Sequence, residues 1–133
     1  MPAFSIPVRV YWEDTDAGGV VYYANYLRFM ERARSDWLRS LGVDQAAMMR
    51  DERRQFVVVE AHIRYHKAAR HDDMLSVSVR LEEARGASIV MAQEIRRGGD
   101  AGELLISGTI RAACVDSDSL RPRPLPVQLA SLT

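Results

Sequence analysis

Residues 9–26 have the sequence RVYWEDTDAGGVVYYANY, in which a glycine turn carries a carboxylate between a strand pattern and a helix pattern. Before the turn, alternation of apolar and polar residues predicts a strand whose buried face holds Ile6, Val8, Val10 and Trp12. After it, a helical stripe is formed by Tyr26, Leu27, Met30, Ala33, Trp37, Leu38 and Leu41, and Gly42 suits a left-handed cap. Asp16 is therefore expected at a strand-to-helix crossing, where free N–H groups and the helix dipole favour developing negative charge.

The rest of the chain is dominated by strand patterns. One parity predicts a core face made of Val57, Val59, Ala61, Ile63 and Tyr65. The clearest amphipathic strand holds Leu75, Val77, Val79 and Leu81 on its apolar face. Residues 88–95 and 104–115 supply two more strands, separated by the turn-rich segment 97–102. The order predicts an α+β protein, with a five-stranded antiparallel sheet wrapped around one long helix. Pattern alone does not separate this arrangement from other helix-on-sheet folds.

The connections carry their own signals. Asp44 is expected to cap a short turn through Met49, and the charged residues 50–54 indicate a solvated connection. The prolines of segment 121–126 lack the N–H donors that a central strand needs, so this segment is expected to run over the surface.

Composition limits the function classes. The chain has 133 residues, is 47% hydrophobic and is interpreted as one domain over residues 1–133. Its 18 basic and 18 acidic residues cancel, which argues against nucleic-acid binding. We find no signal-peptide pattern and no apolar run long enough to span a membrane, which favours the cytoplasm. The single cysteine, Cys114, lies in an apolar alternation and is expected to fill core space.

Metal and dinucleotide sites are both disfavoured by spacing. The segment from Asp14 to Gly18 begins like a calcium loop, but its glycine comes at the fifth place and Asn25 stands where a bidentate Glu should close the loop. His62 and His66 on one strand would lie about 13 Å apart, too far to share zinc. Gly18 and Gly19 lack the spacing of a dinucleotide fingerprint, and Gly19 is expected to allow close approach to a ligand or a turn with positive φ. For Asp14 the pattern favours turn shaping, whereas for Asp16 turn shaping and chemistry both stay open.

The turn resembles the active-site signature of the hot-dog acyl-CoA thioesterases of the 4-hydroxybenzoyl-CoA thioesterase class, and in particular their YbgC-like branch, which is linked to the Tol-Pal system. The resemblance continues along the chain in the same order, from about residue 8 to residue 126. It is carried by ERAR at 31–34, FVVV at 56–59, ARHDDML at 69–75, RGAS at 85–88, CVD at 114–116 and RPRPLP at 121–126.

The resemblance implies a set of site residues. Asp16 matches the catalytic carboxylate, acting as general base or as nucleophile, and the backbone N–H of Tyr23 matches the oxyanion donor. The acyl group is expected near Val57, Val58 and Val59 at a dimer interface. Arg85 and Ser88 are candidates for contacting CoA, although Arg85 at a turn is also ordinary solvated charge. Gly19 is grouped with these substrate-binding residues.

One position departs from the family pattern, because YbgC-like sequences usually carry His where this chain has Tyr23. A Tyr with a pKa near 10 cannot replace His as a base at neutral pH. Glu31 is a second carboxylate of interest, since another group of hot-dog thioesterases uses a helix Glu, but its setting favours a salt-bridged helix face.

The resemblance implies a cytoplasmic acyl-CoA thioester hydrolase without metal or organic cofactor, a homodimer assembling to a homotetramer. The alternative is a binding module for acyl-carrier protein or an envelope-associated partner, with incidental turnover. A hot-dog dehydratase would bring a His to the site, and Tyr23 gives that reading no support.

Overall fold

The computed structural model describes residues 3–132; the outermost residues of the predicted domain, 1, 2 and 133, lie outside that range. In chain order its elements are β1 (Phe4–Arg9), α1 (Asn25–Ser40), α2 (Gln45–Glu52), β2 (Arg54–Tyr65), β3 (Met74–Arg85), β4 (Ser88–Arg97), β5 (Glu103–Asp116) and α3 (Val127–Ala130). The five strands form one antiparallel sheet in the order β1-β3-β4-β5-β2, and α1 packs on its inner face. The predicted α+β architecture is confirmed.

Helix α1 buries one continuous stripe of side chains. The stripe consists of Tyr26, Phe29, Met30, Ala33, Trp37 and Leu38, each at most 5% exposed. Full burial of a large apolar side chain contributes about 1.5–3 kcal/mol, so this face holds the helix on the sheet. Gly42 has a φ of +86°, as expected for a left-handed helix end. The prediction is wrong for Leu27, which lies in the first turn of the helix and is 41% exposed.

Strand β1 is shorter than its alternating pattern. It ends at Arg9, and the buried Val10 already belongs to the connection, where its N–H donates to the carbonyl of Asp73 at 2.9 Å. A 3-10 turn follows over Trp12–Asp14. The prediction that Trp12 lies on the buried face is therefore wrong, since its side chain is 69% exposed and its ring stacks on His71.

Strand β2 contains a β-bulge at Val59, where the register with β5 shifts between Val58 and Glu60. The extra residue exchanges the two faces of the strand. Phe56 before the bulge and Ile63 after it both pack on the core, although their numbers differ in parity. The predicted core face is thus right at Ile63 and wrong at Val59, which is 54% exposed.

Strands β3, β4 and β5 agree with their sequence patterns. Leu75, Val77 and Val79 are fully buried. Strands β4 and β5 extend only slightly beyond the predicted ranges 88–95 and 104–115, because backbone pairing continues after the apolar alternation ends. Cys114 on β5 is buried as predicted, and burial raises the pKa of its thiol.

The connections fit the predictions in part. The Asp44 carboxylate caps α2 by accepting the N–H of Ala47 at 3.0 Å, as expected, but α2 continues to Glu52. Residues 50–54 are therefore not a connection: they end α2, make a single left-handed turn at Arg53 and begin β2.

The C-terminal segment is less superficial than predicted. Residues 121–126 include a buried Leu125, and the N–H of Arg123 donates to the carbonyl of Cys114 at 2.8 Å. The short helix α3 that follows was not predicted. Within residues 3–132, no helix has the length and apolar content to cross a membrane.

Candidate functional site

The loop that carries Asp16 is a small hairpin. Thr15 bridges to Val21, and the N–H of Asp16 donates to the carbonyl of Val20 at 2.8 Å. The returning arm of the hairpin, which holds Val20 and Val21, is bound to the segment before β3, because the N–H of Val21 donates to the carbonyl of Ala69 at 2.9 Å. The turn that carries Asp16 is thereby fixed against the sheet.

Two glycines shape the environment of the Asp16 carboxylate. Its Oδ1 accepts the N–H of Gly18 at 2.8 Å, and a Cβ on Gly18 would lie only 3.3 Å from that oxygen. Gly19 has a φ of +80°, which disfavours other residues, and no heavy atom lies within 4 Å of the position of a Cβ there. The turn thus holds one oxygen of an exposed carboxylate beside an open backbone surface.

Helix α1 starts at Asn25, two residues later than the start predicted at Tyr23. The carbonyl of Tyr23 accepts the hydroxyl of Tyr65 at 3.4 Å, whereas its N–H takes part in none of the hydrogen bonds found over residues 3–132. The phenol of Tyr23 is exposed beside Tyr22 and raises the pKa of Tyr22 above its ordinary value near 10. Tyr22 therefore stays neutral at physiological pH.

Asp14 lies inside this junction and is only 7% exposed. One of its oxygens accepts the N–H of Tyr11 at 2.9 Å, and the other accepts Nδ2 of Asn25 at 2.7 Å. Its carbonyl accepts the N–H of Tyr22 at 2.9 Å. These bonds agree with the turn-shaping role favoured by the sequence, but the bond to Asn25, eleven residues away, left no local signal.

Of the proposed substrate-binding residues, Gly19 lies in the same turn as Asp16, and the others do not gather around Asp16 within one chain. Tyr65 at the end of β2 lies beside Tyr23, and Val58 is six ladder positions back along that strand once the bulge is allowed for, about 20 Å at 3.3 Å per residue. Arg85 and Ser88 face each other at the β3–β4 turn, the opposite end of the sheet. The Arg85 side chain is exposed, and Ser88 Oγ accepts Nη1 of Arg111 at 3.1 Å.

A cavity of about 130 Å³ lies between α1 and the β2 edge of the sheet. Its lining comprises Glu31, Arg34, Ser35, Leu38, Gln45, Phe56, Val57, Val58, Ile89, Met91 and Ala112. Val58 pairs with the buried Ala112, so it has the parity of the inner face before the bulge, and Val57 has the opposite parity. The predicted core position of Val57 is therefore wrong, because the bulge exchanges the two faces of β2, as it does for Val59.

The predicted salt-bridged helix face around Glu31 is also wrong. Glu31 instead accepts the hydroxyl of Ser35 at 2.8 Å. Arg34 turns inward and donates to Oε1 of the buried Gln93 at 2.9 Å, and burial lowers the pKa of its guanidinium. The helix pattern alone did not reveal this inward arginine, because its partner lies on β4.

The histidines have separate environments. His62 lies 3.3 Å from Glu60, His66 is 2.8 Å from the hydroxyl of Ser107, and His71 stacks under Trp12. In the described part of the chain, no cluster of three or more His, Cys, Asp or Glu side chains is arranged to hold a metal ion.

Comparison with known proteins gives one family. The model of the thioesterase-like superfamily matches residues 10–132. The acyl-CoA thioesterase YbgC of Haemophilus influenzae is 43% identical over 126 residues, which cover 95% of this chain and 90% of that protein. A probable thioesterase from Bartonella henselae has a similar structure, with a TM-score of 0.81, 34% identity and coverage of 93% and 98% of the two chains. The 4-hydroxybenzoyl-CoA thioesterase from Pseudomonas sp. strain CBS-3 shares the fold at a TM-score of 0.88 and 20% identity, with coverage of 98% and 99%.

Proposed function

The chain belongs to the thioesterase-like superfamily and is an acyl-CoA thioesterase of hot-dog fold; from that premise we propose that Asp16 and the backbone N–H of Tyr23 carry the hydrolysis. One observation carries the proposal. Asp16 has one oxygen held by Gly18 in an exposed turn, and the N–H of Tyr23, two residues before the start of α1, has no partner within residues 3–132. A carboxylate and a main-chain donor at one junction suit acyl transfer.

Two routes use the same atoms. As a general base, Asp16 takes a proton from water, whose oxygen attacks the thioester carbonyl; the tetrahedral intermediate then expels the thiolate. As a nucleophile, Asp16 attacks the carbonyl itself, expels the thiolate and forms an anhydride, which water opens. Both routes need one free oxygen on Asp16, and Gly18 engages only Oδ1. Both end in a carboxylic acid and CoA, whose thiolate takes up a proton.

The N–H of Tyr23 stabilises the tetrahedral oxyanion in either route. It lies at the N-terminal side of α1, where the helix dipole adds positive potential. A single donor of this kind is worth about 3 kcal/mol of transition-state stabilisation. Gly19, with open space on its α-carbon, lets the thioester approach the turn closely.

The acyl group occupies the cavity beside Val57, Val58 and Val59, and a second copy of the chain brings that cavity to Asp16. Support comes from the distance of about 20 Å between Tyr65 and Val58 along β2, which is too long for a short acyl group within one chain. Strand β2 is the last strand of the sheet, and its exposed Val58 and Val59 leave an apolar edge for pairing. The tetramer stays a prediction.

Arg85 and Ser88 contact the CoA portion in this assembly. The Arg85 guanidinium is exposed, with Glu83 at 3.9 Å, and Arg111 beside Ser88 adds a second guanidinium at the same end of the sheet, with Glu60 at 3.5 Å. Arginine forks suit the phosphates of CoA.

The alternative is a binding module for acyl-carrier protein. An assay in which acyl-carrier protein replaces the CoA portion tests it, because such a module would bind the carrier thioester without turnover.

Val58→Phe tests whether the cavity beside Val58 holds the acyl group. We expect the preferred acyl chain to become shorter by about two methylenes. Each buried methylene is worth about 0.8 kcal/mol, so every methylene excluded costs about fourfold in kcat/KM. The measurement is thiol release over a series of acyl-CoA substrates. Buried Cys114 keeps the background of the thiol reagent low.

The matched control is Val127→Phe, which enlarges an exposed valine on α3 that does not line the cavity. Its profile should equal that of the wild type. An unchanged profile in folded Val58→Phe enzyme would place the acyl slot elsewhere.

The Tyr23 side chain is tested by Tyr23→Phe and Tyr23→His, which should keep kcat within about threefold because a main-chain donor survives side-chain exchange. The histidine variant restores the residue usual in YbgC-like sequences and is expected to alter acyl preference more than rate. Steady-state kinetics decide the matter. A loss of kcat in folded Tyr23→Phe as large as that in Asp16→Asn would give the phenol a part in the chemistry.

A further inference from the structure

Asp14 is a buried carboxylate that the proposed hydrolysis does not use. Burial of a charge is costly unless hydrogen bonds compensate it. Both oxygens of Asp14 are engaged, yet only by neutral donors, the N–H of Tyr11 and the amide of Asn25. Over residues 3–132, no Lys, Arg or His nitrogen lies within 4.0 Å of the Asp14 carboxylate, so none forms an ion pair with it. A carboxylate that only closed a turn would not need a second donor from a helix.

The bonds of Asp14 join the three segments that hold the proposed reacting groups. Tyr11 belongs to the connection after β1, and Asn25 is the first residue of α1. The carbonyl of Asp14 binds the N–H of Tyr22, which directly precedes Tyr23. Asp16 is two residues beyond Asp14. Asp14 therefore contributes to the separation between the Asp16 carboxylate and the Tyr23 N–H, together with the backbone bond from the N–H of Asp16 to the carbonyl of Val20.

We propose that Asp14 and Asn25 are positioning residues that lock the Asp16 turn against the start of α1. The inference rests on the assignment of Asp16 and Tyr23 above. Neither Asp14 nor Asn25 touches the substrate. Their effect is exerted through geometry, and a misplacement of about 1 Å between reacting groups costs on the order of 100-fold in rate. Asn25 suits the task because its amide supplies the donor that an acceptor-only carboxylate requires.

Asp14→Asn tests the lock. The amide keeps one acceptor oxygen but turns an N–H toward one of the two donors, so one hydrogen bond is lost. We expect kcat to fall about 10- to 100-fold with KM changed less than about threefold, because the groups move while the binding surface stays. Asn25→Ala removes only the amide that donates to Asp14 and should lower kcat as well. It replaces Asp14→Asn as the test if that variant does not fold.

The decisive variant is the exchange Asp14→Asn with Asn25→Asp. The amide at position 14 then accepts the N–H of Tyr11 and donates to the carboxylate at position 25, so both hydrogen bonds return. Recovery of at least about tenfold in kcat over the single variants is expected. A double variant as slow as Asp14→Asn, while folded, would overturn the proposal.

Asp116→Asn is the matched control. Asp116 is also a carboxylate in a turn, accepting the N–H groups of Asp118 at 3.0 Å and Ser119 at 2.9 Å, but it lies at the far end of β5. It should lower the unfolding temperature and leave kcat unchanged. An equal fall of kcat in Asp116→Asn would mean that kcat reports stability alone, which overturns the positioning role. Asp16→Asn, measured separately, shows whether the underlying assignment of Asp16 holds.

Discussion

Asp16→Asn is expected to lower kcat by about 100-fold or more while the protein stays folded. An amide cannot take a proton from water and cannot attack the thioester, so both routes lose their reacting atom. The fold should survive, because the amide oxygen can still accept the N–H of Gly18 and the turn keeps its backbone bonds to Val20. Thiol release at saturating acyl-CoA gives the rate, and thermal unfolding gives the folded state.

Glu13→Gln is the matched control for this prediction. Glu13 is an exposed carboxylate three residues earlier, in the 3-10 turn, and no role is proposed for it. Its variant should turn over like the wild type. Near-wild-type turnover in folded Asp16→Asn would reject the assignment, and a large loss in Glu31→Gln would then move the chemistry to the helix. Failure of Asp16→Asn to fold would favour the turn-shaping role.

The fold was predictable where burial is one-sided along an element. Helix α1 lies on a single sheet, so a period of 3.6 residues is visible in its apolar stripe, and only Leu27 was misassigned. Strand β3 has the same advantage with a period of two. In both elements the sequence pattern is produced directly by the surface that the element covers.

The errors arise where a distant segment decides the geometry. At the Val59 bulge, β2 has one residue more than the stretch of β5 with which it pairs. The sequence of β2 alone therefore cannot predict the bulge. Trp12 is the exception with a local cause, because the carboxylate of Asp14 accepts the N–H of Tyr11 three residues earlier and closes a turn there. The motif predicts a site at this turn, but it could not predict the bonds that hold the turn, because bonds such as that from Asn25 to Asp14 join residues with no periodic relation.

The bulge also bears on how two copies could meet. If two β2 edges pair antiparallel about a two-fold axis perpendicular to the sheet, paired residues must face the same side. Val58 before the bulge and Tyr65 after it satisfy that condition, because the extra residue restores the match of faces. Placing Val58 opposite the partner's Tyr65 puts His62 at the axis and brings the acyl cavity of one chain to the Asp16 turn of the other.

Ala61→Glu is therefore expected to separate the copies and to lower kcat/KM by about 100-fold, since it places a charge opposite the partner's Ile63 in an apolar edge. Sedimentation velocity gives the oligomeric state, and thiol release gives the activity of the same sample. As a complementary measurement, His62→Cys should form a covalent dimer on oxidation, because residues directly opposite in a ladder have Cα atoms about 4.5–5.5 Å apart.

Pro7→Glu adds the same charge to the opposite edge of the sheet, on β1, and serves as the control. Pro7 is exposed and has no N–H to offer a neighbouring strand, so this edge is a poor one for pairing and the variant should remain dimeric and active. A folded Ala61→Glu protein that sediments as a monomer yet keeps wild-type kcat/KM would show that one chain holds the complete site. In that case the acyl group must lie against Asp16 without Val58, and the Val58→Phe profile would be unchanged as well, so the two measurements check each other.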